Sequence, residues 1–135
     1  MLNIIVGIFF VLHGLVHLLY FGQSQRLFEL QPGMTWPDGS WIFSNLTGDP
    51  TARLLASISC VLAAAGFLAS GVGIFARQAW WRPMVVSAAL FSAVIYILFW
   101  DGKLQKLDNQ GGIAILISLA ILIPVLIFRW PDLGF

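Results

Sequence analysis

Residues 2–21 read LNIIVGIFFVLHGLVHLLYF. No acidic, lysine or arginine side chain interrupts them, and only Asn3, His13, His17 and two glycines depart from bulky apolar character. A helix needs about 20 such residues to cross a hydrocarbon layer of roughly 30 Å, so the stretch predicts a membrane span. Three further runs follow the same rule: Leu54–Ala76, Met84–Trp100 and Ile113–Phe128. With their flanking residues they give expected spans at about 2–21, 52–76, 83–100 and 112–129. Strands are excluded, because the runs lack period-2 alternation and are too few to close a barrel. The expected fold class is all-α: an integral membrane four-transmembrane-helix bundle with a long first loop, one domain over residues 1–135.

Composition agrees. Hydrophobic residues make up 59% of the 135 and charged residues 10%. A soluble domain is nearer half apolar and a quarter charged, and a chain this short leaves much of its surface exposed. The excess needs an apolar solvent, so the lipid bilayer is the first partner. A net charge of +1 gives no basic footprint for nucleic acid. The single cysteine, Cys60, forms no internal disulfide. The first run lacks a basic leader and a small-residue cleavage site, so it is expected to stay as a span rather than be removed as a signal peptide.

Punctuation marks the boundaries. Asp49-Pro50 is expected to open the second span with Asp49 as N-cap, and Arg82-Pro83 to open the third in the same way. Gly111-Gly112 precedes the fourth, and Pro124 inside it is expected to bend the helix. Trp80, Trp81, Trp100 and Trp130 sit at span ends and suggest an aromatic belt at headgroup level, with Trp36 and Trp41 resting on the same interface.

Four spans put both termini and the second loop on one side, with Arg77, Arg82 and Arg129. Arg26, Arg53, Lys103 and Lys106 lie on the other, so the count of cations does not orient the chain. The compact loop between Arg77 and Arg82 is basic without acids, which favours both termini in the cytoplasm.

The first loop, about Gly22 to Asp49, is long enough to expect a function. Ser24–Leu30 suggests one or two amphipathic turns; Pro32-Gly33 and Pro37-Asp38-Gly39 are turn signals. Trp41, Ile42, Phe43 and Leu46 form a further apolar patch. Together they suggest a cap over the bundle. Small residues recur every four positions in the second span (Ala56, Cys60, Ala64; Gly66, Ser70) and in the third (Ala89, Ala93). Such spacing lets membrane helices approach closely and places these spans at the bundle centre; a homodimer face is the alternative use.

His13 and His17 lie on one helix face, with Tyr20 nearly on it. Ionisable groups within a span usually face the bundle interior or a wet cavity. Counted from the loop-bearing side, His17 lies about 6 Å deep and His13 about 12 Å. Tyr96 and Ser92 of the third span, Arg53 at the start of the second and Asp101 after the third fall on the same half. His13, His17, Tyr20, Arg53, Ser92, Tyr96 and Asp101 are therefore the candidate ligand-binding set, lining a hollow beneath the cap. Several chemistries suit it. A quinone or other amphiphilic ring compound between the helices would be bonded by His and Tyr. A zinc or copper ion would need two further ligands, with only Cys60 and Asp101 to supply them. Bis-histidine haem needs ligands on opposite faces of the iron, which one helix does not offer. A hydrolytic Ser–His dyad lacks a nucleophile motif. The least demanding reading is that the imidazoles satisfy each other, serines and backbone carbonyls.

The whole layout, with its short His13-Gly14-Leu15-Val16-His17 segment in the first span and its long first loop, resembles small bacterial four-helix membrane proteins of the DoxX-like type. The resemblance implies a multi-pass protein of the bacterial inner membrane, accessory to quinone-coupled oxidation beside a redox partner subunit. It carries over no residue role. The vitamin K epoxide reductase type needs paired cysteines, and Cys60 stands alone. Taken together, the expected function is to bind a lipophilic small molecule such as a quinone, or to serve as an accessory subunit of a membrane redox system. The alternatives are a small oligomeric transporter or proton-coupled exporter, relying on the two histidines as its relay, and a purely structural subunit.

Overall fold

The computed structural model describes residues 1–105 and 107–135; Lys106, counted above among the loop cations, lies outside the described residues. Regular structure among the described residues is helical throughout. The elements are α1 (Leu2–Ser24), a short α2 (Phe43–Thr47), α3 (Asp49–Phe75), α4 (Trp81–Leu98), a 3₁₀ turn (Leu107–Gln110) and α5 (Gly112–Leu122), which continues as a π-helix over Ile123–Ile127. Helices α1, α3 and α4 are long and apolar enough to cross a membrane, and Gly112–Ile127 is a shorter apolar helix.

Several boundaries differ from the sequence expectation. Helix α1 runs three residues past Phe21, to Ser24, and residues 25–30 form no helix. Helix α3 already includes Asp49; Gly48 takes the N-cap position and Asp49 caps nothing with its side chain. Its carboxylate instead accepts a hydrogen bond from the Gly39 N–H at 3.3 Å. Helix α4 starts at Trp81, before Arg82-Pro83. Proline lacks an N–H and so breaks the α ladder. Around Pro124 the ladder widens to π pitch, and the Trp130 N–H closes it on the Pro124 carbonyl at 3.0 Å.

Outward faces are apolar. Ile4, Ile5, Ile8, Leu12, Leu15 and Leu19 of α1 are exposed, whereas Val6, Phe10, His13, Gly14 and His17 point inward. An apolar exterior this continuous is an aggregation surface in water and an ordinary one in lipid. Helix α3 packs between α1 and α4, and α4 between α3 and α5. The contacts are close where glycine permits. A Cβ on Gly71 would stand 2.7 Å from Val11 Cγ2 and 2.9 Å from the Gly7 carbonyl oxygen. One on Gly66 would stand 2.8 Å from the Ala88 Cβ. Small residues thus let the backbones meet, the spacing by which helices associate without a hydrophobic drive.

Two apolar clusters fill the interior. One, toward the termini, joins Phe10, Phe67, Ile74, Trp81, Val85 and Leu122. The other, toward the first loop, joins Trp36, Cys60, Ile95, Tyr96 and Phe99. Trp81 and Trp36 are therefore core residues, both with 0% exposure, and not belt residues. Trp41, Trp80 and Trp130 remain exposed. Trp36 leaves the surface because the first loop turns down into the bundle mouth, where its ring meets Tyr20, Tyr96 and Phe99.

The same loop is tied at both sides. The buried Gln23 amide donates to the Met34 carbonyl at 3.0 Å, and its oxygen accepts from the Leu30 N–H at 2.9 Å. The Ser40 hydroxyl donates to the Leu98 carbonyl at 2.7 Å, the Trp41 indole N–H to that of Ile97 at 2.8 Å, and the Trp41 backbone N–H to that of Trp100 at 2.8 Å. Carbonyls at a helix C-terminus have no partner within the helix. The loop supplies partners to those at the end of α4 and just beyond it.

Candidate functional site

Between the two apolar clusters lies a polar layer. The His17 Nδ1 is 3.0 Å from the His13 carbonyl oxygen, and its Nε2 is 2.8 Å from the Ser92 hydroxyl. A carbonyl only accepts, so in the neutral ring Nδ1 carries the proton and Nε2 accepts from Ser92. The Ser118 hydroxyl of α5 donates in turn to Ser92 at 3.1 Å. A directed chain thus runs from α5 through α4 to α1, and every polar atom of the His17 ring is used. This tie across three helices exists because His17, Ser92 and Ser118 occupy inward, wholly buried positions.

His13 sits one turn deeper, midway along α1. With the helix ending at Ser24, the two rings lie about 10 and 16 Å from its end at 1.5 Å per residue, deeper than the sequence boundary implied. The His13 ring meets Phe67 edge-on at 4.5 Å and lies perpendicular to His17 at 5.0 Å between centroids. It is 4% exposed, and its Nε2 has no hydrogen-bond partner.

Tyr20 and Tyr96 join this group through their rings. Tyr96 lies 5.9 Å from His17 and 4.9 Å from Tyr20, and its buried hydroxyl has no partner. Arg53 and Asp101 do not join. Arg53 donates to Asp38 at 2.9 Å, beside the Arg26–Asp38 ion pair. Asp101 accepts from the Lys103 N–H at 2.9 Å within its own loop. Both side chains turn to the loops because a charge at a helix end finds partners there at lower desolvation cost than inside the bundle. Beside the two histidines, no third metal-ligating side chain completes a cluster among the described residues.

The expected hollow beneath the cap is filled. The cap exists, but its own Trp36 occupies the mouth against Tyr20 and Tyr96. Open space adjoins His13 elsewhere, on the outer face of the helices. A groove of about 400 Å³ between α1 and α5 is lined by Phe9, Leu12, His13, Val16, Ile117 and Ala120. It shares Phe9 and Ala120 with a second apolar groove of about 330 Å³ that reaches Pro124 and Trp130. The first opens sideways, since Leu12 is 57% exposed.

Sequence reading missed Ser118, Phe67 and Gln23. Ser118 was detectable as the one polar residue between Ile113 and Phe128. Phe67 carried no signal beyond its apolar character. Gln23 lay outside the span because the apolar run stops at Phe21. No family model matches the chain, and neither a curated protein nor a solved structure does.

Proposed function

We propose that this chain is a four-span membrane protein that binds a lipophilic ring compound of the quinone class in the lateral groove between α1 and α5. The fourth span is Gly112–Ile127. The outward Leu116, Leu119, Ile123 and Leu126 on that segment support it. So does the end-to-end placement of Met1 and Leu2 beside Asp132–Phe135 and Arg77 around one polar cleft, as an even number of crossings requires. The membrane in question is the bacterial inner membrane, with both termini cytoplasmic.

One observation carries the ligand reading. His13 lines this lateral groove; no hydrogen bond engages either of its ring nitrogens among the described residues, and Nε2 is buried without a partner. An unsatisfied buried polar atom costs about 1–3 kcal/mol, which a ligand hydroxyl or carbonyl in the groove would offset once a turn of the imidazole brings a ring nitrogen to it. The two adjoining apolar grooves suit a ring and an isoprenoid tail, which reach them through the bilayer. Tyr20 and Tyr96 pack behind His17 as support for the imidazole layer. A redox partner subunit would then exchange electrons with the held quinone.

The test is purification of the full chain in mild detergent, followed by extraction and quantification of quinone against a lipid-only background. Ubiquinone added before purification serves as the probe. The wild type should retain it near one per chain. His13→Leu should retain roughly two- to tenfold less, the loss of one hydrogen bond. Ala120→Trp should retain none, because the indole fills the groove. Wild-type content no higher than background sinks the reading. The full internal satisfaction of His17 then favours the purely structural role, in which the polar layer only fixes helix register.

A further inference from the structure

At the end of the bundle that carries the termini, a separate groove of about 700 Å³ runs between α4 and the π-helix. Arg82 and Arg129 stand at its rim, with Asp132, while Val86, Val125 and Leu126 line it below. We propose that this groove holds the headgroup and upper acyl chain of an anionic glycerophospholipid, its phosphodiester bonded by the two guanidinium groups. The site is distinct from the His13 groove and does not depend on it.

Arg82 spends one Nη2 donor on the Pro131 carbonyl at 2.6 Å, which fixes the half-buried guanidinium in place. Among the described residues it forms no ion pair, and the Arg129 side chain forms neither a hydrogen bond nor an ion pair. Asp132 is near both but accepts instead from the Gly134 N–H at 3.1 Å. Two cations and one anion therefore line the groove with no close ion pair among them, a net positive balance. A planar guanidinium presents paired donors that match phosphate oxygens.

Arg26, Arg77 and Arg129 each follow a helix end in the left-handed region, at φ 58°, 53° and 50°. Arg26 donates to Asp38 and to the Thr35 and Trp36 carbonyls, closing the first loop. Arg129, in the equivalent backbone position, has nothing comparable to donate to within the chain.

Depth fits as well. Trp80 and Trp130, 42% and 53% exposed, mark the headgroup level at this end. An anion bonded there by the arginines would direct its acyl chain along Val86 and Leu126 into the hydrocarbon. Basic recesses between membrane helices are where anionic lipid headgroups bind. A soluble phosphate would satisfy the arginines but leave the apolar floor unused.

The test uses the full chain in mild detergent, with phosphatidylglycerol and phosphatidylcholine of identical acyl chains, counted per protein by native mass spectrometry. The wild type should retain phosphatidylglycerol at least fivefold better, on the order of one basic residue's contribution at an anionic surface. Arg129→Gln, which removes no bond within the chain, should cut that preference severalfold. Arg82→Gln with Arg129→Gln should bring it close to one. Arg77→Gln, at the same end but lining a different cleft, should leave it unchanged. Equal retention of the two lipids by the wild type overturns the proposal. So does an unchanged preference in Arg129→Gln, or displacement of phosphatidylglycerol by millimolar inorganic phosphate, which would mark a site for the soluble anion.

Discussion

Helix α1 has two flanks, and they are built differently. Toward α3 it presents Gly7, Val11 and Gly14, which meet Gly71, Ala64 and Phe67 so closely that added Cβ atoms would fall within 3.2 Å of their neighbours. Toward α5 it presents Ile5, Phe9, Leu12 and Val16, and the side chains opposite do not fill the space between. Both flanks are apolar, so hydropathy does not distinguish them. Side-chain size does: small residues let backbones touch, whereas bulky ones hold α1 and α5 apart and leave room for a guest. His13 lies at the boundary of the two flanks, edge-on to Phe67 of α3 while lining the α5 groove.

The largest effect should come from spoiling the close flank. Gly71→Leu pushes side-chain atoms into the Gly7 carbonyl and Val11, and overpacking of this kind costs about 1–3 kcal/mol or more. Reversible unfolding in mixed detergent should show a loss at the upper end of that range. A stable Gly71→Leu protein would erase the distinction between the flanks.

Next is the tie that closes the loop end. Gln23→Leu strands the Met34 carbonyl and the Leu30 N–H, a loss of about 1–3 kcal/mol. Proteolysis within residues 31–42 should accelerate while the spans stay protected. Cleavage at the wild-type rate would mean that the loop is held by Trp36 packing alone.

A smaller effect is expected from Ser92→Ala, which leaves His17 Nε2 without its donor and Ser118 without its acceptor. Hydrogen bonds between membrane helices are worth roughly 0.6 kcal/mol on average and up to about 1.7. Unfolding should register a change in that range, with ligand retention at His13 preserved. A loss of ligand equal to that in His13→Leu would show that the layer and the groove act as one site.

The smallest change in stability belongs to the open flank. Ala120 is exposed, so Ala120→Trp should shift unfolding by no more than about 0.5 kcal/mol while it abolishes quinone retention. A large destabilisation would place Ala120 in a packed interface and remove the contrast.

Which segments are apolar helices was legible from the chain itself. Insertion into lipid depends on local composition, because every backbone hydrogen bond must close within its own segment. The inward turn of His13 and His17 was legible too, since a four-residue spacing puts both on one face. Helix termini were less so: Asp49 and Pro83 resemble openings, yet α4 starts two residues earlier, at Trp81, and Asp49 finds a partner in Gly39. Arg53 and Asp101 fall on the same half of the bundle as the histidines by position along their spans, but depth is one coordinate of three. Their direction around the helix axis and the loops that neutralise them were set by distant residues.

The sequence by itself thus determined the helices, their apolar exteriors and the buried histidine face, all properties of residues within a few positions of each other. Tertiary structure alone decided that Trp36 fills the mouth of the bundle, that Ser92 and Ser118 complete His17, and that free space lies beside α5. Those outcomes depend on the shapes of side chains brought together from far along the chain, which periodicity does not encode.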